Sequence, residues 1–271
     1  MTNFRGLELR YTNVSSALSK SGLPGLDYAL NPYVGCSHGC TYCYARLYTR
    51  DRRISQNWGK VVAIKQNLVD VISREAKRAK PGLVGVGTIT DPYQPVESVF
   101  KLTRSCVEVL LNNKFRVSIQ TKNTLVLRDI DVLSARTELV DVGFTITTFN
   151  DKVARAIEPR SSPPSARALA LERLSSAGVK TWVFYGPIIP GLNDDEVTLD
   201  LIASLSSRTG SILYFDQINV KPFMRSTEHE LYRYIPLRTR VWWKNVKDRI
   251  YKKCRDYGIV CRPGFENTEL E

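Results

Sequence analysis

"NPYVGCSHGCTYCYAR", residues 31–46, places three of the chain's six cysteines within eight positions, at Cys36, Cys40 and Cys43. Three chemistries use thiols this densely: a disulfide framework, a zinc site, or an iron–sulfur cluster with an incomplete set of cysteine ligands. Six cysteines in 271 residues is far below the density of a disulfide-stapled secreted domain. Residues 1–20 hold no apolar core of a signal peptide. No stretch approaches the roughly eighteen unbroken apolar residues of a membrane-spanning helix. The expectation is a soluble cytoplasmic protein with reduced thiols, in which clustered cysteines serve metal binding or catalysis.

Structural zinc needs four ligands, commonly two close pairs, and the second pair is missing here. His38 sits inside the motif, too close along the chain to Cys40 to share one ion with all three thiols. Cys254 and Cys261 lie seven apart, far from the other cysteines. A four-iron cluster usually takes four cysteines, so three leave one iron open for a small chelating ligand.

The spacing C-x3-C-x2-C, with Gly35 before it and Tyr42 just ahead of the last cysteine, resembles the radical S-adenosylmethionine (SAM) superfamily. The resemblance implies that Cys36, Cys40 and Cys43 ligate a [4Fe–4S] cluster whose open iron binds SAM, with Tyr42 near the adenine. It further implies reductive cleavage of SAM to a 5′-deoxyadenosyl radical, fed by an external one-electron reductant.

Short runs rich in β-branched and aromatic residues recur at 83–89, 115–120, 139–146, 179–185 and 212–220, after an earlier strand near 28–33. Segments of helical period, such as "NLVDVISREAKRAK" and "LTRSCVEVLLNNK", lie between them. In the latter, Cys106 falls on the apolar stripe and reads as core. Alternation of strand and helix predicts βα units and a parallel sheet. Six units make an α/β fold of the incomplete parallel (β/α)6 barrel type, the core fold that the resemblance implies. The chain reads as one domain, with a core over about 28–220 and a basic, helical C-terminal extension over about 221–271.

Parallel barrels gather chemistry where strands end. "TDPYQPVE" offers Thr90 and Asp91 for the SAM amine, and Lys122 follows the next strand for its carboxylate. "TITT" offers Thr145 and Thr147, and "EPRSSPPSAR" offers Glu158, Arg160 and Arg167. The backbone from Pro187 through Ile188 to Ile189 reads as facing the adenine. Together with "TKN", "RDIDVL" and "PIIPGLND", these motifs resemble the spore photoproduct lyase-like branch, whose members are described as DNA repair photolyases. That branch places a hydrogen-donating cysteine where this chain has Thr88, and Tyr93 reads as a substitute donor.

Charge bears on the substrate. Thirty-nine basic against 27 acidic residues give a formal net charge of +12, which points to a nucleic-acid partner. Trp243, Lys244, Lys247 and Lys252 lie in the basic stretch 237–258 and read as nucleic-acid contacts, while Trp243, Val246, Ile250, Cys254 and Tyr257 recur at helical spacing as an apolar stripe packed inward. The expected function is therefore hydrogen abstraction from nucleic acid by a radical SAM enzyme. The alternatives are the same chemistry on a protein or small molecule, or a non-catalytic iron–sulfur protein that binds nucleic acid.

Overall fold

A computed structural model describes residues 2–4 and 6–264; the last seven residues of the expected C-terminal extension lie outside the described residues. Its strands are β1 (Thr2–Phe4), β2 (Leu7–Thr12), β3 (Ser19–Lys20), β4 (Tyr28–Leu30), β5 (Tyr33–Val34) and β6 (Val61–Lys65). They continue as β7 (Leu83–Val86), β8 (Arg116–Thr121), β9 (Val140–Thr145), β10 (Lys180–Ile188), β11 (Ile212–Gln217) and β12 (Cys261–Pro263). By their internal contacts the residues form two compact units. The first comprises Met1–Gly39, Cys43–Val142 and Ala177–Lys180; the second comprises Cys40–Tyr42, Gly143–Ser176 and Thr181–Glu271.

In the first unit the main sheet runs β3-β4-β7-β8 and into the first half of β9. The β4–β7 and β7–β8 pairs are parallel. Val84, Val86, Val117 and Ile119 are fully buried or nearly so, as a strand covered on both faces requires. The helices Leu68–Glu75 and Leu102–Asn112 supply Leu68, Val71, Ile72, Cys106, Val107 and Leu110 to this core. Cys106 is packing, as its place on the stripe predicted. Strand β7 stops at Val86 because Gly87 takes φ +90 and a Cβ there would meet Pro92 at 2.4 Å.

In the second unit the second half of β9 is followed in sheet order by β10, β11 and β12. Both β10–β11 and β11–β12 are parallel. The helix Glu196–Thr209 is capped by Asp195, whose side chain accepts from the Thr198 N–H, and ends at Gly210 in the left-handed region. The helix Arg240–Asp256, capped by Thr239, buries Val246, Ile250 and Cys254 along the expected stripe. The core strands β4, β7, β8, β9, β10 and β11 are the six of the (β/α)6 plan, and the sheet order is open at both ends.

Three differences from the sequence reading have local causes. The strand near 28–33 is two strands: Pro32 lacks an N–H, and after it β5 leaves the main sheet to pair antiparallel with β6. With β1 and β2, these make a separate four-stranded sheet, β1-β2-β6-β5. Its core is Leu7, Leu9, Tyr33, Val62 and Ile64. The C-terminal extension is not wholly helical, because β12 adds a parallel strand to β11. Cys254 and Cys261, expected as reduced thiols, are joined in a disulfide between the last helix and β12. Among the described residues no helix is long and apolar enough to cross a membrane.

Candidate functional site

The cysteine loop follows β5 directly. Gly35 takes φ +83, and a Cβ there would stand 2.8 Å from the Val61 carbonyl oxygen, so only glycine lets the chain turn this close to β6. Gly39 also adopts positive φ, and it lies against Gly59, where a Cβ would come within 2.8 Å of the Gly39 Cα.

Within the first unit, buried side chains hold the backbone on both sides of Cys36. The Gln94 side-chain oxygen accepts from the Ser37 N–H at 2.8 Å, and its nitrogen donates to the Gly35 carbonyl at 3.1 Å. The Thr90 hydroxyl donates to the same carbonyl at 2.6 Å and accepts from Gln94 at 2.9 Å. His38 is fully enclosed, with Nδ1 3.3 Å from Asp91 Oδ2 and Nε2 3.3 Å from the Asn123 amide. Burial alone would lower the His38 pKa, but the Asp91 carboxylate and Cys36 outweigh it and raise it to about 9. Burial likewise opposes the Asp91 charge, and His38, Thr121 and Lys122 overcome it and bring the carboxyl down to about 2.

Thr90 and Asp91 thus face the cysteine loop. The Asp91 carboxylate accepts from the Thr121 hydroxyl at 2.7 Å, the Lys122 N–H at 2.7 Å and the Tyr93 N–H at 2.9 Å, besides meeting His38. Gln94 has no charge and no special spacing, so sequence reading passed over it. The Gln94→Ala variant leaves the Ser37 N–H without its acceptor and should cost about 1–3 kcal/mol. Chemical denaturation of the metal-free protein checks this, with iron content after reconstitution as a second readout; both unchanged would remove Gln94 from this role.

Tyr93 is corrected. Its phenol is fully buried, and its hydroxyl faces Asp129 and Glu97 in a charged network rather than a strand-end opening. Burial first, then those carboxylates, push it well above the ordinary range. Glu97 accepts from the Tyr33 hydroxyl and pairs with Arg128 at 2.7 Å. The Thr88 hydroxyl accepts from the Asn31 amide at 3.0 Å. The Thr88 carbonyl accepts from the Tyr44 hydroxyl at 2.6 Å. Tyr44, next to Cys43, is the phenol that reaches the strand end, and sequence reading missed it.

Within the second unit, the Thr41 N–H donates to the Ile157 carbonyl at 2.9 Å and the Thr41 carbonyl meets His229 Nε2 at 3.2 Å. The Tyr42 hydroxyl donates to Glu158, and Glu158 pairs with Arg167 at 2.5 Å. Arg167 is fully enclosed and donates to the Ser162 carbonyl at 2.6 Å and the Thr145 carbonyl at 2.9 Å. Burial and then Glu158 push the Tyr42 phenol well above the ordinary range, so it donates rather than ionises. Glu158 and Arg167 therefore fix Tyr42 and the end of β9. Arg160 is exposed. A cavity of about 140 Å³ opens beside them, lined by Arg155, Glu158, Ser161 and Arg167.

The backbone expected to face the adenine has partners of its own. Asn193 donates to the Pro187 carbonyl at 3.0 Å and accepts from the Ile189 N–H at 2.6 Å, while the Ile188 carbonyl accepts from the Ile218 N–H. The Thr147 hydroxyl is buried without a hydrogen-bond partner, so this strand end retains unused polar capacity. On the last helix, Lys244 and Lys252 are exposed, but Lys247 covers the Trp243 ring at 5.9 Å and Trp243 packs on Phe215 at 6.1 Å. Arg249 and Lys253 pair with Glu196 and Asp200. Trp243 is thus a packed ring rather than an open stacking platform.

A four-iron cluster needs thiol donors that can give up their protons. Cys36, Cys40 and Cys43 lie outside the disulfide, the first two buried. Burial, then Cys36, push the Cys43 thiol up to about 12, opposed by the Ala45 N–H and by Lys122 and Arg46. Iron must therefore displace a proton from the neutral Cys43 thiol, with cations nearby to favour the thiolate. Among the described residues no three His, Cys, Asp or Glu side chains converge on one metal-ion position. A cubane takes each thiolate on a different iron, so convergence is not required. Thiols outside any disulfide, on a loop bent by Gly35 and Gly39, fit such a cluster.

The sequence pattern of the radical SAM superfamily matches residues 30–202. An uncharacterized protein of Methanocaldococcus jannaschii is 32% identical over 230 residues, spanning 85% of both chains. Spore photoproduct lyase complexed with dinucleoside spore photoproduct superposes with a TM-score of 0.70 at 18% identity, over 95% of this chain and 82% of that one. A radical SAM methyltransferase from Sphaerobacter thermophilus gives 0.59 at 17% identity, over 89% and 66%. The chain belongs to the radical SAM superfamily of enzymes, whose cofactors are a [4Fe–4S] cluster and S-adenosylmethionine.

Proposed function

We propose that Cys36, Cys40 and Cys43 hold the cluster and that the chain removes hydrogen from a nucleic-acid substrate. The observation that carries the reading is the grip on Cys36: Gln94 and Thr90 bind the backbone on either side of it, and His38 is locked on Asp91. When bound, the cluster and SAM supply one-electron reductive cleavage that yields a 5′-deoxyadenosyl radical, with the electron drawn from an external reductant. The protein's part is to orient and to exclude water. Lys122 brings positive charge toward Cys43 and toward a SAM carboxylate; Tyr42, fixed by Glu158 and Arg167, flanks the adenine; the Thr147 hydroxyl has a hydrogen bond to give. The net charge of +12 favours a polyanionic substrate.

Anaerobic reconstitution with dithionite and SAM should yield 5′-deoxyadenosine, and deuterated nucleic acid should pass deuterium into it. No 5′-deoxyadenosine would overturn the radical chemistry; 5′-deoxyadenosine without deuterium would overturn only the substrate. Spore photoproduct repair is expected to be absent, because the Thr88 O–H is a poor hydrogen-atom donor. Clean conversion of a spore-photoproduct dinucleotide to two thymines would show that another group, with Tyr44 the nearest phenol, takes that place.

A further inference from the structure

The helix Ala45–Tyr48 leaves the cysteine loop directly after Cys43 and Tyr44. Tyr44, Leu47 and Tyr48 are 39%, 52% and 63% exposed. Among the described residues no other five-residue stretch exposes three large apolar side chains. One exposed tyrosine needs no explanation, but three such side chains in one turn form a patch. Tyr44 and Tyr48 meet edge to face with centroids 5.9 Å apart, and Tyr48 offers most of its ring to solvent.

The charge beside this patch has one sign. Arg50 and Arg52 are exposed, and neither forms an ion pair among the described residues. The acid between them is engaged: Asp51 caps the helix Arg52–Gln56 and lies 3.9 Å from Arg10. The neighbouring cation, Arg53, is paired with Glu8 at 2.6 Å. Open rings next to uncommitted cations match one ligand chemistry, flat apolar groups strung on a polyanion. In a duplex those flat faces are stacked away, whereas a single strand presents them. A base that is to lose hydrogen must also leave its stack.

We propose that Leu47, Tyr48, Arg50 and Arg52 form a landing strip for single-stranded nucleic acid, leading an unstacked base toward the cysteine loop. The inference rests on the nucleic-acid reading of the substrate given above and adds the strand state and the surface. Tyr48 stacks a base, and the two arginines neutralise the phosphates that flank it. The basic helix Arg240–Asp256 contributes less, because its Trp243 ring is packed and two of its cations are paired.

The test is fluorescence anisotropy of the full chain with labelled oligothymidylate, oligouridylate and a DNA duplex, each about fifteen nucleotides long, the upper end of ordinary single-strand site sizes. A salt series accompanies each probe. Tyr48→Ala should weaken single-strand binding about five- to hundredfold, the value of one stacked base. The pair Arg50→Gln and Arg52→Gln should reduce the single-strand log–log salt slope by about 1.4, at about 0.7 per phosphate released. Lys244→Gln with Lys252→Gln should lower both quantities less than the changes in the strip do. Thermal unfolding identical to wild type confirms that the exposed-site variants fold. Wild-type protein that binds none of the probes at low salt would overturn the strip and the nucleic-acid reading together. Wild-type binding that survives the Tyr48 and arginine changes would overturn the strip alone, as would preference for the duplex. A dimer that dissociates on Leu47→Asp would reassign the patch to a second copy of the chain and overturn the proposal.

Discussion

Replacing Cys36, Cys40 or Cys43 by Ala is expected to abolish the visible absorbance and the bound iron of the reconstituted protein, with complete loss for each single change. A cubane held by three thiolates has no spare ligand, and the disulfide between Cys254 and Cys261 leaves neither sulfur free to substitute. Cys106→Ala should keep its iron. That thiol is fully buried on the helix Leu102–Asn112, and burial with Glu97 nearby pushes it up to about 12, so it packs as a neutral group. Iron quantitation and absorbance on four single variants settle the matter. Full iron retention by all three loop variants would overturn the assignment. Because binding displaces protons from thiols such as Cys43, loading should also weaken as pH falls.

The second large effect is on stability. Arg167 and Glu158 are enclosed partners at 2.5 Å, and Arg167 also holds the carbonyls of Thr145 and Ser162. Arg167→Ala strands the Glu158 charge and should cost about 3–5 kcal/mol. At roughly 2–4 °C per kcal/mol for a chain near this size, the melting temperature should fall by about 6–20 °C. Lysine should rescue little, since it lacks the planar fork that reaches several acceptors. Glu158→Gln combined with Arg167→Met should recover part of the loss, because no lone charge remains buried. A cost below about 1 kcal/mol for Arg167→Ala would place the pair in ordinary surface chemistry.

The parallel core was legible because its strands are short, β-branched and separated by helical periods, and all six lie where those runs fall. The small sheet was not. Strands β1 and β5 have three and two residues, too few for any period to show, and β2 pairs with β6 across some fifty intervening residues. The cysteine cluster stands out by spacing alone, with Cys36, Cys40 and Cys43 inside eight positions. The strand-end residues stand out in the sequence as polar groups, and the structure adds the protein partners that they hold. Thr90 and Asp91 do reach the cysteine loop, yet they bond its backbone and His38. Side-chain type announces hydrogen-bonding capacity; only packing decides which partner consumes it. Gln94, Asn193 and Tyr44 escaped notice for the same reason: nothing in a lone amide or phenol marks it as the group that closes a loop.

The hydrogen bond between His229 and the Thr41 carbonyl spans 188 residues of sequence. It sets an order for biosynthesis. As the chain leaves the ribosome, the wall behind the cysteine loop can pair once β6 has emerged, since β1, β2, β5 and β6 all lie within the first 65 residues. The grip on Cys36 waits for Asp91, Gln94 and Thr121, Tyr42 waits for Glu158 and Arg167, and Thr41 waits for His229. Contacts this distant form late. The nascent chain therefore closes its cysteine loop in stages, and iron delivered before residue 94 is made would meet thiols without the side chain that grips Cys36 on either side, while the Thr41 contact is still missing until residue 229.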